Sequence, residues 1–278
     1  MLRDFLRLLL LVLPLTVHAD PLPAPDRSLT VPAYMALGAP APDQPWTVAQ
    51  LRTTLKVLRK LSLHEPLKLP RRDNPESGKL FARLLSPDAG WKAPKTETTR
   101  DKITRQSAYL QTIGMVTPLY VQGAQQGTFD AELTALTDTS LRESAKLLEL
   151  LQQEKKEPKK MKRPRVWKRD LKQATFSAAF ALRGAVYMYA GRGLFRPAER
   201  QKLRESLVKW LPILAPQVLP KDRQQLHTLL TGVIREERDP ARLKEWTPIV
   251  RVLDGGKQSA EQATKPGKKP HRMAKKHR

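Results

Sequence analysis

The chain reads as an all-α protein, an irregular multi-helix bundle of about seven to eight helices, on three observations. Leu, Ala, Gln, Arg and Lys dominate the composition, whereas glycine and strand-like alternation are scarce. Apolar residues recur at spacings of three and four through most of residues 46–253. Helix-start chemistry also recurs, as Ser/Thr/Asp/Asn caps and as prolines placed at a first turn beside an acid.

The stretch Leu171–Ala190 organises the rest. Ala174, Ala178, Ala181 and Ala185 form a small stripe, and Phe176, Phe180, Arg183 and Tyr187 repeat that spacing elsewhere on the helix. A helix apolar almost all round is enclosed by other helices or by lipid, and an Arg at a membrane centre costs about 2.5–3.5 kcal/mol. The expectation is a buried helix of a soluble domain, capped by Asp170 with Gln173 and stopped by Gly191 and Gly193. Arg183 inside it would then need a carboxylate or carbonyl partner.

In chain order, residues 1–19 have the form of a secretory signal peptide. Arg3 and Arg7 precede an apolar run from Leu8 to Leu15, and Val17-His18-Ala19 suits cleavage. Residues 20–45 hold seven prolines and read as an extended lead. An N-terminal helical half is expected over 46–154. Thr47 and Gln50 form a capping box for a helix to about Leu63, with Val48, Leu51, Leu55 and Leu58 buried and Arg52, Lys56, Arg59 and Lys60 wet. Asn74-Pro75 opens a short helix carrying Leu80, Phe81, Leu84 and Leu85. Residues 86–98 read as a loop. A helix from about Thr99, with Ile103, Leu110 and Ile113 inward, should bend or stop at Pro118. Phe129 to about Glu154 reads as one long helix or a kinked pair, because Ser140 and Glu143 make a second capping box and place a break near Asp138.

Residues 155–170 read as a basic bridge, and 171–254 as a C-terminal helical half. Pro197 with Glu199, Pro220 with Asp222, and Asp239 before Pro240 mark three further helix starts. Leu243, Trp246, Val250 and Leu253 keep helical spacing. Residues 255–278 contain almost nothing that can enter a core and read as a disordered basic tail.

Charge narrows the function. The formal net charge is +24, and it is concentrated: Lys155 to Lys172 carries +8 and Lys257 to Arg278 carries +7. Such segments favour electrostatic docking on a polyanion over a uniformly basic shell. The candidate contacts in the bridge are Lys155, Lys156, Lys159, Lys160, Lys162, Arg163, Arg165, Trp167, Lys168 and Arg169. In the tail they are Lys268, Lys269, Arg272, Lys275, Lys276 and Arg278. An exported protein meets anionic lipid or lipopolysaccharide first, and an aromatic such as Trp167 suits an interface. Nucleic acid ranks below these, because the signal peptide argues against its compartment. No transmembrane span is expected in the mature chain.

Cysteine is absent, which excludes disulfides, thiolate catalysis and cysteine metal sites. The five histidines show no pair at metal-ligand spacing, and the chain contains no Gly-x-Ser-x-Gly elbow, phosphate loop or dinucleotide fingerprint. Neither a cofactor nor a metal is expected, and the leading reading is non-enzymatic. A helical scaffold or chaperone-like adaptor with protein partners in the envelope is the alternative. The segment Glu76-Ser77-Gly78, with Ser86-Pro87 and Gly90, resembles the glutamate–serine start of lytic transglycosylases. That resemblance implies Glu76 as the general acid of a cell-wall-active glycosidase-type enzyme. It spans residues 76–90 only and lacks the family's following Gly-Leu-Met-Gln element, and an acid is expected in a first helical turn anyway.

Overall fold

Thr47 opens the first helix in the way its capping box requires. In the computed structural model its side chain accepts from the Gln50 N–H at 3.2 Å, and the Gln50 side chain accepts from the Thr47 N–H at 3.1 Å. The structure describes residues 37–40, 46–75, 77–86, 98–123, 129–156, 164–190, 195–241, 243, 244, 246, 250 and 253. Among them are seven α-helices and no strand: α1 (Val48–His64), α2 (Gly78–Leu84), α3 (Thr99–Gly123), α4 (Asp130–Lys156), α5 (Pro164–Ala190), α6 (Pro197–Leu214) and α7 (Pro220–Glu236). The all-α multi-helix bundle expected from periodicity is therefore present.

Local chemistry accounts for most helix starts. α2 begins at Gly78 with Ser77 as its N-cap and not at Asn74-Pro75 as expected; Asn74 Oδ1 accepts the Ser77 N–H at 2.9 Å in the turn ahead of it. Gly78 is required there, because a Cβ would lie 2.7 Å from the Arg72 carbonyl oxygen. Thr98 and Asp101 exchange backbone-to-side-chain hydrogen bonds at the start of α3. Pro197 and Pro220 stand in the first turns of α6 and α7, where a missing N–H costs nothing. Asp239 Oδ1 accepts the Ala241 N–H at 3.0 Å, and helical conformation recurs among the described residues from Pro240 to Leu253.

α4 is the element the bundle is built on. α3, α5 and α6 all pack against it, α1 packs on α3, and α7 packs on α5. Two aromatic groups pin the ends of this core. Tyr120 stands between Phe81 and Phe129 with edge-on rings 5.5 and 5.4 Å away, and its hydroxyl donates to the Pro70 carbonyl. Tyr189 meets Trp246 at 5.1 Å, so the C-terminal helical residues close over α5. Leu37 and Ala39, within the proline-rich lead, also lie in this core. Gly38 between them has φ +73°, and a Cβ there would collide with Thr53.

Several expectations are corrected. α3 runs through Pro118 to Gly123 rather than stopping. The carbonyl that loses its helical donor to Pro118 belongs to Gly114, an exposed residue, where the loss is least costly. Of the two alternatives for Phe129 to Glu154 the single long helix is found: α4 is continuous at Asp138, and the Ser140–Glu143 pair is not a cap. Asp138 instead accepts from Ser206 Oγ at 2.8 Å and Trp210 Nε1 at 3.1 Å, which ties α4 to α6. Glu143 is fully buried and accepts from Gln106 Nε2 at 2.8 Å and Arg142 Nε at 2.6 Å. Burial raises the Glu143 carboxyl, but the bonds from Arg142, Gln106 and Lys146 outweigh it and hold the group below the usual range.

The helix containing Leu171–Ala190 begins at Pro164, so Asp170 lies inside α5 and is not its cap. Ala174, Ala178, Leu182, Ala185 and Tyr189 are buried as a stripe, whereas Phe176 is 37% exposed. The exposed positions of this helix lie between Arg165 and Phe176, and from Ser177 to Tyr189 every residue is buried or half-buried. Arg183 has no buried ion pair. It donates to the exposed amide of Gln225 at 2.6 Å across the α5–α7 contact, where solvent shares the charge. Residues 1–36, Glu76 and 254–278 lie outside the described residues, and with them the signal-peptide, general-acid and basic-tail assignments.

Candidate functional site: a basic corner beside an apolar groove

The described part of the basic bridge forms a corner where α4 ends and α5 begins. Lys155 and Lys156 occupy the last turn of α4, where cations favour the helix dipole. Arg165, Lys168 and Arg169 stand exposed in the first two turns of α5, whose first turn holds no acid. Those cations sit at the positive end of a helix dipole, an arrangement that costs free energy and favours any anion brought close. Trp167 is turned inward: its Nε1 donates to the Leu151 carbonyl at 2.9 Å, and the Lys155 ammonium lies 5.9 Å from its ring centroid. It fastens the corner to α4. Lys159, Lys160, Lys162 and Arg163, and the six tail residues, lie outside the described residues.

Arg100, in the first turn of α3, joins the corner to the rest of the bundle. Its guanidinium pairs with Asp170 of α5 and reaches Glu154 of α4 at 3.5 Å, so one cation clamps three helices. Beyond this clamp α3 and α5 both rest on α4 but stand apart from one another. The gap between them is a groove of about 770 Å³, within the roughly 300–1,000 Å³ of small-molecule sites. α3 contributes Leu110 and Met115, α5 contributes Phe176 and Phe180, and Ser144 and Leu147 of α4 form part of the floor. Met115, 48% exposed, and Phe176 face solvent from opposite walls. Gly114 and Gly184 widen it, since a Cβ on either would meet nothing within 4 Å. The charged residues lining it are Arg100, Arg169 and Asp170, all at the corner end.

A second cavity, of about 440 Å³, lies between α4 and α6 and is polar, with Arg72, Arg142, Lys202 and Lys209 facing Asp138 and Glu205. Neither cavity is signalled by the sequence, because each depends on distances between helices remote in the chain. The one trace of the groove is the Phe176, Phe180 and Tyr187 stripe opposite the alanines.

Glu132 is the carboxyl that chemistry would single out. It is 3% exposed and its Oε1 accepts the Arg72 N–H at 2.6 Å. Burial pushes it up, opposed by hydrogen bonds from the Arg72 and Glu132 N–H groups and aided by Asp73 and Asp130, to about 7. It lines neither cavity, so the shift bears on stability rather than on a reacting group. Its neighbour Asp130 takes two bonds of 2.7 Å from the Arg196 guanidinium, which fixes the start of α4 to that of α6. Burial raises the Asp130 carboxyl, and the Arg196 bonds reverse this and hold it below the usual range.

Among the described residues no group of three or more His, Cys, Asp or Glu is placed to hold a metal ion, and no helix is long and apolar enough to cross a membrane. The fold and this corner define the chain as a basic, all-α bundle with an open interhelical groove. No protein-family model, curated protein or solved structure matches it.

Proposed function

We propose that this chain is an exported, non-enzymatic helical protein that holds an anionic envelope surface, a phospholipid or lipopolysaccharide headgroup layer, through its basic segments. The observation that carries the reading is the α4–α5 corner. Lys156, Arg165 and Lys168 are exposed there with no carboxylate partner among the described residues, next to a dipole end of the same sign. Each cation brought to an anionic membrane surface contributes about 1 kcal/mol, and the contribution decays over a Debye length. The signal-like sequence of residues 1–19 and the +7 charge of Lys257 to Arg278 support this reading.

Flotation of residues 20–278 with phosphatidylglycerol-containing vesicles tests this, beside vesicles of phosphatidylcholine alone. Binding should be confined to the anionic vesicles and should fall steeply between about 0.1 and 1 M salt, over which the Debye length shrinks from about 10 to about 3 Å. Salt-insensitive binding, or equal binding to both vesicles, would return the basic segments to linker and tail. It would favour the adaptor whose apolar groove meets a protein.

A further inference from the structure

We propose that the groove between α3 and α5 is a binding site for the acyl chain of an anionic amphiphile, with the headgroup held at the α4–α5 corner. The proposal extends the envelope-surface reading and rests on it for the headgroup. Three features of the groove carry it: its polarity, its dimensions and its glycines.

The polarity is graded along the helices. At the corner end stand Arg100, Arg169 and Asp170, and Arg165 lies one helical turn before Arg169 on α5. From there to Tyr187 and Met188 the lining is uncharged, with Phe176, Phe180, Leu110 and Met115 among its large apolar side chains and Ser, Thr and Gln side chains interspersed. Arg100 is committed to Asp170 and Glu154, so that end of the groove is closed by an ion cluster, and Arg169 stands on its rim, 73% exposed, with its Nε 3.3 Å from Asp170 Oδ1 and the rest of its guanidinium open to solvent. A molecule with one anionic end and one apolar end fits this in a single orientation.

The dimensions choose the apolar part. From Arg169 to Tyr187 the groove follows α5 for about 27 Å at 1.5 Å per residue. The volume along that length, about 770 Å³, is that of a small-molecule site. A polymethylene chain has the length and volume to lie along it. The acyl chains of one bilayer leaflet extend about 15 Å, half of the hydrocarbon core, so one chain lies within the groove's length.

The glycines make the proposal testable without disturbing the core. A Cβ at Gly184 meets nothing within 4 Å, so a larger side chain there enters the groove and not its walls. The experiment is displacement of cis-parinarate from residues 20–278 by palmitate below its micellar concentration, repeated with methyl palmitate. The wild type should take up one palmitate per chain. Gly184→Leu should weaken binding at least tenfold with an unchanged melting temperature, and Gly184→Ala should bind as the wild type does. Ser177→Leu, from the same wall, should repeat the loss and serves if Gly184→Leu does not fold. Arg169→Gln should weaken palmitate several-fold and leave methyl palmitate unaffected. Absence of displacement in the wild type overturns the proposal, as does undiminished binding by both leucine variants. Vesicle flotation on the same samples separates the two readings. Flotation without palmitate uptake sinks the groove site alone, and palmitate uptake without flotation sinks the surface reading alone.

Discussion

Replacing Glu132 by Gln removes one buried proton-binding site while keeping the oxygen that accepts the Arg72 N–H. In the folded chain burial raises this carboxyl from the ordinary 4.5 to about 7. Between those values the folded state holds a proton that the unfolded chain has released, so stability falls as pH rises through this window and is level above it. At about 1.4 kcal/mol per pH unit the full penalty is about 3 kcal/mol. A neutral amide does not incur it. Glu132→Gln should therefore match the wild type at pH 4.5 and exceed it at pH 8 by up to about 3 kcal/mol. At roughly 2–4 °C per kcal/mol for a chain of this size, the melting temperatures should separate by about 6–12 °C. Thermal unfolding of both proteins from pH 4.5 to 8 is the assay, and their difference isolates this one group. A difference independent of pH, or one that grows toward acid, would refute the reasoning.

Other expectations concern the two faces of α5 and the start of α4. Ala178 is fully buried on the close-packed side, so Ala178→Leu should cost about 1–3 kcal/mol in urea unfolding. Arg183→Leu should change stability by less than about 1 kcal/mol, because its bond to Gln225 is solvent-exposed. Asp130→Asn should lower the melting temperature at neutral pH and much less at pH 2, because the Asp130 carboxyl is held below its ordinary value. The stability it contributes is present above that value and lost as pH falls through the folded one.

What could be read in advance was local. The Thr47–Gln50 box, the prolines opening α6 and α7 and the Asp239 cap lie within a few residues of the structure they specify, and each is formed. Where the reading failed, a distant partner had intervened. Ser140 and Glu143 have the spacing of a cap, but Glu143 is taken by Gln106 of another helix and α4 runs on. Asp170 has the spacing of a cap with Gln173, but it is claimed by Arg100, 70 residues away, and helix forms ahead of it back to Pro164. Pro118 is tolerated because the carbonyl it orphans belongs to an exposed residue. The large stripe of α5 was legible as a pattern and misplaced as an environment. Phe176 and Tyr187 face a gap whose width is set by how α3 and α5 sit on α4, which periodicity does not encode.

The α4–α5 corner is the centre of the account, and neutralising it is the most direct measurement. Flotation of the wild type beside a Lys155→Gln, Lys156→Gln, Arg165→Gln, Lys168→Gln variant on phosphatidylglycerol vesicles at low salt reads the loss of four corner cations while Arg169 and the other basic residues remain. At about 1 kcal/mol for each cation near the surface, the variant should bind about a thousandfold more weakly and show a shallower salt slope, with an unchanged helical spectrum. Equal binding by the two proteins would contradict the assignment of this corner as the surface that meets the anionic layer.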